Sequence, residues 1–361
     1  MLKDKRYLVL EDGTVYEGYQ FGGKADRAGE LVFNTSMFGF QEMITDSAYA
    51  NQIVTFSYPL VGNTGFNSED SETMKPTIAG IVVREAALLP SNFRTNETLH
   101  DYLERHNIPG ISGIDTRSIV RKIRDGGTLR AMLSDSYDVD AVIETLKSTD
   151  ETVHSVRDVS TSSPYISTGV GSRVVLIDLG KQESLVRSLN SAGCEVTVVP
   201  HDTPTYDILR MKPDGVIISS GPGSPEDIPS IVDNVRTIAE QVPVFGVGLG
   251  HQAIALAFGA KIEALPFGHR GSNIPVRNIE RKTVEITSQN HGFAVSRESL
   301  EQTDLVITHE AINDDSVEGI RHKSLPIMSV QYYPGAIDGP DDSSYILEEF
   351  INRMNKENNH A

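Results

Sequence analysis

The chain has 361 residues, of which 39% are hydrophobic and 23% charged, which describes a globular protein long enough for about two ordinary domains. Its 50 acidic and 32 basic residues give a formal net charge of −18, which argues against nucleic acid or an anionic membrane surface as the main partner. The single cysteine, Cys194, excludes an intramolecular disulfide framework and a multi-cysteine metal site, and it is typical of a reducing cytoplasm.

The first part of the chain predicts a mixed α/β domain. It begins without the apolar stretch of a signal peptide, and no apolar run reaches the length of a membrane helix. Short strands at 7–10 and 14–16 flank E-D-G, a typical hairpin turn. The other elements predicted here are strands at 31–34 and 53–58 and helices at 99–106 and 116–124, with Asp115 as the N-cap of the second helix.

The composition changes in the middle of the chain. Residues 153–172 are rich in Ser, Thr and Gly and show no apolar period, which predicts an interdomain linker. The predicted domains are therefore 1–152 and 173–361.

The second part predicts a doubly wound, mainly parallel sheet, because short apolar runs alternate with amphipathic helices. The region 267–331 indicates antiparallel strands, and 342–354 a final helix. Two Gly-rich loops follow predicted strands, at the edge where such sheets bind ligands. The predicted strands are 174–178, 195–200, 215–219 and 242–246, and the helices between them include 183–192 and 231–241.

The stretch P-V-F-G-V-G-L-G-H-Q, from residue 243 to 252, has the pattern of a nucleophile elbow without a nucleophile. A strand enters a glycine-flanked turn and a helix follows; enzymes place Ser or Cys at its tip, but here the tip is Gly248. Glycine tolerates the strained backbone of an elbow, so the missing nucleophile should leave the fold intact. His251 stands where a dinucleotide motif needs its third glycine, which excludes that reading.

Taken together, the motifs resemble the small subunit of carbamoyl-phosphate synthase over nearly the whole chain, and the second half is similar to class I glutamine amidotransferases. The resemblance implies an N-terminal small-subunit domain followed by an amidotransferase domain with a doubly wound sheet. The motifs that carry it are L-E-D-G-T, F-N-T-S-M-F-G-F-Q-E, S-N-F-R, G-I-D-T-R, S-S-G-P-G-S-P, G-V-G-L-G-H-Q, F-G-H-R-G-S-N and S-Q-N-H-G-F.

The resemblance also implies partners and a pathway. In that family the small subunit hydrolyses glutamine, and the ammonia passes to a large subunit that uses ATP for carbamoyl phosphate synthesis. The expected partner is therefore a large synthase subunit in a heterodimer, which would serve arginine synthesis, pyrimidine synthesis or both. We expect no cofactor and no metal in this chain, since ATP and magnesium would belong to the large subunit, and we expect a cytoplasmic location.

Three positions depart from the family pattern. The family elbow reads G-x-C-x-G-H-Q and its second signature H-P-E, where the cysteine attacks glutamine, the histidine is the base and the glutamate orients it. This chain has Gly248, Tyr333 and Gly335 at those positions. Removing a triad nucleophile or base costs about 10⁶ in turnover, so glutaminase activity is predicted to be lost or severely impaired.

By contrast, the resemblance maps a glutamine-binding set onto this chain. Gly223 and Leu249 are the candidate donors of oxyanion N–H groups. Ser220 and Ser224 are softer departures, because the family has Asn and Asp there. The predicted glutamine-binding positions are Ser36, Gly221, Gly223, Leu249, Gln252, Asn290, Gly292 and Phe293.

Alternatives remain open at this point. The chain could be a stand-alone glutamine-binding or scaffold pseudoenzyme, or an active glutaminase with a nucleophile relocated to Ser219, Ser220 or Tyr333. A laboratory exchange of the triad residues is a further alternative. His251 and His291 occur in family motifs without being the catalytic base, so we predict structural roles for both, and we expect Cys194 to be a core residue.

Overall fold

The computed structural model describes residues 4–136, 138–148, 156–335 and 341–358, and the chain divides into two compact units, Met1–His154 and Ser155–Ala361. The first unit contains strands β1 (Lys5–Leu10), β2 (Val15–Gly22), β3 (Arg27–Asn34), β4 (Gln52–Phe56), β5 (Leu60–Val61), β6 (Gly80–Val82), β7 (Glu85–Ala86), β8 (Pro109–Ser112) and β9 (Leu129–Ser134), with helices α1 (Phe40–Thr45), α2 (Leu99–Arg105), α3 (Thr116–Gly126) and α4 (Val139–Ser148).

The first unit is built on a closed barrel with the strand order β1-β2-β8-β6-β4-β3-β9. The predicted hairpin is confirmed, since β1 and β2 pair antiparallel with Leu8 opposite Tyr16. Strands β3, β4, β6 and β8 are neighbours in parallel. Aromatic and aliphatic side chains together form one core of this unit, where the rings of Phe66 and Tyr102 stack with their centroids 3.9 Å apart.

Both helices predicted for the first unit are confirmed, and each begins at a side-chain cap. Thr98 accepts a hydrogen bond from the Asp101 N–H ahead of α2, and Asp115 accepts one from the Ser118 N–H ahead of α3. Each cap satisfies one of the amide groups that a first helical turn leaves unpaired.

The second unit contains strands β10 (Tyr165–Ser167), β11 (Arg173–Asp178), β12 (Glu195–Pro200), β13 (Gly215–Ile218), β14 (Val244–Val247), β15 (Ile262–Asn278), β16 (Thr283–Val295), β17 (Leu305–Ala311), β18 (Val317–His322) and β19 (Ile327–Val330), with helices α5 (Val156–Val159), α6 (Glu183–Ser191), α7 (Thr205–Arg210), α8 (Pro229–Ala239), α9 (Leu249–Ala257), α10 (Arg297–Leu300) and α11 (Tyr345–Asn358).

The linker prediction for 153–172 needs a correction. Residues 149–155 lie outside the described part of the chain, but 156–172 belong to the second unit, where α5 forms and β10 pairs antiparallel with β12. Tyr165 and Ile166 are exposed on this edge strand. Backbone hydrogen bonds rather than burial hold β10, so its sequence lacks the apolar period that identifies a strand.

The second unit confirms the doubly wound sheet, in the order β10-β12-β11-β13-β14-β19-β18-β16-β15-β17. The run β12-β11-β13-β14-β19 is parallel. Alternate residues of β11 face opposite layers: Val174 and Leu176 pack with α6 and α11, whereas Val175 and Ile177 pack in the core that holds α7, α8 and α9. Side chains on both faces of β11 are therefore buried, each face against a different layer of helices.

Strands β15 to β18 form the antiparallel part of the same sheet, as the sequence predicted for 267–331. Strand β19 joins the two parts, parallel to β14 and antiparallel to β18. The final helix begins and ends later than predicted, at Tyr345 and Asn358. Within the described residues, every helix is too short or too polar to cross a bilayer.

Candidate functional site

The elbow forms where the sequence predicted it. Strand β14 ends at Val247, Gly248 has φ 55° and ψ −112°, and α9 begins at Leu249. The Gly248 N–H donates to the Val330 carbonyl at 2.9 Å, and the Gly250 N–H donates to the Ser219 carbonyl at 3.1 Å. The turn is thus fixed between the ends of the two strands that flank β14.

The tip of the elbow has little spare room. A Cβ atom at Gly248 would lie 3.1 Å from the Ser220 Cβ and 3.8 Å from the Gln331 carbonyl oxygen. The first distance is tighter than ordinary carbon–carbon contact. Ser220 therefore packs directly against Gly248, and a side chain at position 248 would force Ser220 to shift.

The other two triad positions lie after β19. Tyr333 is 5% exposed, and its N–H donates to the Ser288 carbonyl of β16 at 3.0 Å. Gly335 has φ 70°, a backbone conformation that favours glycine. Among the described residues, a Cβ there would meet only Ser344, at the ordinary contact distance of 3.6 Å.

At two of the predicted glutamine-binding positions, close packing or backbone conformation explains why the residue is glycine. A Cβ at Gly221 would lie 2.0 Å from the Leu179 carbonyl oxygen, and Gly223 has φ 83°. Ser224, where the family has Asp, caps the short 3₁₀ helix Pro225–Asp227. The two candidate oxyanion donors, the N–H groups of Gly223 and Leu249, have no hydrogen-bond acceptor in the described part of the chain.

Gln252 ties the elbow helix to the antiparallel strands. Its Nε2 donates to the Phe293 carbonyl at 3.0 Å and to Gln331 Oε1 at 3.1 Å. Asn290 Nδ2 is buried, and within the described residues it has no acceptor. The structure therefore brings Gln252 and Phe293 together, two of the predicted glutamine-binding residues, and leaves an unused donor on the same strand.

Two other predicted glutamine-binding residues, Gly292 and Ser36, do not take part in the Gln252 hydrogen bonds. A Cβ added at Gly292 would lie 3.4 Å from Nη2 of the buried Arg270 guanidinium. Ser36 belongs to the first unit, where it is buried and its N–H donates to Asn34 Oδ1 at 2.7 Å. The glutamine contacts of the whole set stay predictions.

His251 and Cys194 are both buried in the core of the second unit. His251 is completely buried, with Nδ1 2.9 Å from Ser329 Oγ, and burial lowers its pKa to about 3. A histidine of such low pKa, beside the elbow but enclosed, is a poor base for a substrate. Cys194 packs in the core with the side chains of α6, and burial raises the pKa of its thiol.

The sequence did not predict a polar cluster on three adjacent strands. His269 of β15 pairs with His291 of β16, and Glu318 of β18 lies beside both. Burial alone would lower the pKa of His269, but hydrogen bonds to Asp314 and Glu318 raise it to about 10. Burial and the neighbouring His269 lower the pKa of His291 well below its usual range. The F-G-H and Q-N-H motifs were visible, but only the strand register shows that their histidines meet.

Comparison with known proteins decides the family. Residues 8–133 match the model of the carbamoyl-phosphate synthase small chain, CPSase domain, and residues 175–353 match class I glutamine amidotransferase. A carbamoyl phosphate synthase small chain from Staphylococcus saprophyticus is 53% identical over 99% of this chain and 97% of its own length. The chain belongs to the carbamoyl-phosphate synthase small-chain family.

Other members of this family are similarly close. The small chains of carbamoyl phosphate synthase from Staphylococcus haemolyticus and Bacillus cereus are 52% and 51% identical, covering 97% and 96% of this chain and 96% and 95% of their own lengths. The family and fold class that the sequence motifs implied are thereby confirmed.

We expect Gly248→Ala to destabilise the protein by roughly 1–3 kcal/mol, because alanine is strained at φ 55° and its Cβ presses on Ser220. Gly335→Ala is the matched control: its φ is also positive, but among the described residues its Cβ would meet Ser344 at an ordinary 3.6 Å, so it should cost less. Adding Ser220→Gly should recover part of the Gly248→Ala loss. Chemical denaturation measures all of these, and equal costs for the two alanine variants would contradict the packing argument.

The free energy of unfolding should fall as pH drops below about 6.5, because unfolded histidine takes up a proton there while buried His251 stays neutral until about pH 3. His251 alone contributes a slope of up to about 1.4 kcal/mol per pH unit in that window. His251→Asn should flatten the curve, whereas His106→Asn should change it less, because burial lowers the pKa of the partly exposed His106 by a smaller amount. Chemical denaturation of the unchanged chain and both variants between those pH values measures the effect. The same dependence of unfolding free energy on pH in all three proteins would refute the prediction.

Proposed function

We propose that this chain is the small subunit of a carbamoyl phosphate synthase and that its own glutaminase reaction is lost. In the complex it would support carbamoyl phosphate formation from free ammonia. The observation that carries the proposal is the glycine at the elbow tip: Gly248 has no atom that could attack an amide, within a backbone that otherwise has the elbow geometry.

The remaining triad positions support the same conclusion. A tyrosine phenol, with a reference pKa of about 10, is a poor general base near neutrality, and Tyr333 is buried against β16. Gly335 has no side chain to orient a base. Oxyanion N–H groups and substrate binding alone leave a small residual rate, since a triad works as a unit.

The binding side of the pocket is better retained than the catalytic side. The unpaired N–H groups of Gly223 and Leu249, together with Asn290 Nδ2, could hold a carbonyl or carboxylate of glutamine. We therefore propose that glutamine still binds, without being hydrolysed. Because hydrolysis is not required of this chain, its proposed roles are docking on a large subunit and stabilising it.

The proposal includes the setting of the reaction. The large subunit would carry ATP and magnesium, so this chain would need no cofactor of its own. The heterodimer would work in the cytoplasm, and its carbamoyl phosphate would serve arginine or pyrimidine synthesis. The match over 95–97% of the relatives' own lengths supports the role of a small subunit.

A relocated nucleophile is the weaker candidate. The Ser219 hydroxyl is fully buried; it accepts from the Leu179 N–H at 2.9 Å and donates to the Ser220 carbonyl at 2.8 Å. A serine whose proton and lone pair are both engaged by the backbone lacks an activating base. The Ser220 Cβ lies close to the elbow tip. However, Tyr333 occupies the family's base position, so Ser220 also lacks a good base.

The test is synthesis by the complex of this chain with its large subunit, given either ammonia or glutamine as nitrogen source. We expect synthesis with ammonia and none above background with glutamine, because no nucleophile releases the amide nitrogen. Calorimetric titration of the same complex with glutamine should still show binding, and Asn290→Ala should weaken it.

Restoration provides the matched control. Gly248→Cys combined with Tyr333→His and Gly335→Glu should raise glutaminase activity, whereas Gly248→Cys alone should give far less, because a triad acts as a unit. Strong glutamine-dependent synthesis by the unchanged complex would refute the loss of activity. If Tyr333→Phe or Ser220→Ala then abolished it, the relocated nucleophile would be correct. Failure of the chain to bind any large subunit would favour a stand-alone scaffold.

A further inference from the structure

The polar cluster on β15, β16 and β18 has the donor set of a metal site. One nitrogen each of His269 and His291 and a carboxylate oxygen of Glu318 lie within 4.8 Å of one another. His269 Nδ1 is 3.4 Å and His291 Nε2 is 3.9 Å from Glu318 Oε1. Two imidazoles and one carboxylate are ligands that zinc and its first-row neighbours accept.

The opposite nitrogen of each histidine is held by an outer partner. His269 Nε2 lies 2.8 Å from Asp314 Oδ2, and His291 Nδ1 lies 2.8 Å from the Phe293 carbonyl oxygen. Metal-binding histidines nearly always donate their second N–H to a carboxylate or a backbone carbonyl. The remaining nitrogens, His269 Nδ1 and His291 Nε2, therefore face the same two groups: Gln289 Oε1, at 3.1 and 2.9 Å, and the Glu318 carboxylate.

The cluster is not satisfied by its own hydrogen bonds. His291 Nε2 faces Gln289 Oε1 at 2.9 Å, so both ring nitrogens face oxygen acceptors, whereas a neutral imidazole has one N–H. Glu318 is fully buried, and its Oε2 has no partner in the described part of the chain. A buried carboxylate with an unpaired oxygen is costly, and a cation beside it would relieve that cost.

We propose that His269 Nδ1, His291 Nε2 and Glu318 bind one first-row divalent metal ion, with zinc as the best candidate and Gln289 Oε1 as a fourth ligand. Ligands about 2.0–2.1 Å from a tetrahedral zinc lie roughly 3.3 Å apart, so the cluster needs only small side-chain shifts. Asp314 is 41% exposed at its side chain, which marks the route by which a metal enters.

The proposed ion would act as a structural clamp. It would fix β15, β16 and β18 to one another directly beside Asn290, Gly292 and Phe293, which are predicted to contact glutamine. With its ligands all buried or nearly so, the site offers no open position to a substrate. The competing account of these residues is an ion-pair network with a protonated His269 between Asp314 and Glu318, which has no affinity for metal.

The experiment uses the full chain, stripped with a chelator and then titrated calorimetrically with zinc chloride. We expect one equivalent to bind, and His291→Gln and Glu318→Gln each to weaken binding at least tenfold. His100→Gln is the control, because His100 with Asp101 and Glu104 forms a second, more exposed group of potential ligands. That variant should bind zinc as the unchanged chain does.

Cobalt provides a readout that needs no variant. Cobalt bound in a tetrahedral nitrogen–oxygen site has a strong visible absorption band, and zinc should displace it. Thermal unfolding and circular dichroism verify that each variant folds. Absence of binding by the folded, unchanged chain, binding unaffected by both Gln variants, or loss of binding in His100→Gln would each overturn the proposal, and none of these outcomes bears on the proposed loss of glutaminase activity.

Discussion

The hydrogen bond from the Gly248 N–H to the Val330 carbonyl is the constraint on which the second unit's site depends. It anchors the turn to the end of β19 while β14 lies parallel between β13 and β19. The backbone can reverse so sharply into α9 only at positive φ, which costs glycine little and other residues more. The backbone of the elbow, which presents a nucleophile in hydrolases, therefore forms equally well with a glycine at its tip.

This constraint explains why the proposed loss of the reaction is compatible with an intact fold. Gly248 removes the reactive atom and relieves backbone strain, so no compensating change in the fold is required. Ser220 lies close to the vacant tip, and Gln252 still joins α9 to β16 through the Phe293 carbonyl. Folding stability and catalysis make opposite demands at this turn, because the backbone favours glycine whereas the reaction needs a side chain.

The antiparallel half of the sheet contains buried polar groups that do not complete their hydrogen bonds within the described residues. Asn290 Nδ2 and Glu318 Oε2 are buried without partners in the described residues, and each is costly unless a ligand or ion completes it. Both belong to strands that lie beside the elbow helix in the fold. The two proposals, glutamine binding and a metal clamp, assign separate ligands to these groups.

The sequence by itself determined the fold class and several elements of both units, since apolar periods and side-chain caps such as Asp115 are local signals. It also determined the elbow and the family, because these depend on contiguous motifs. Only the tertiary structure decided that β10 is an edge strand, that Ser220 crowds the tip, and that His269 and His291 meet beside Glu318. Those facts depend on cross-strand register between residues far apart in the chain, and the register of β15 and β16 shifts at two irregularities that no local pattern reveals.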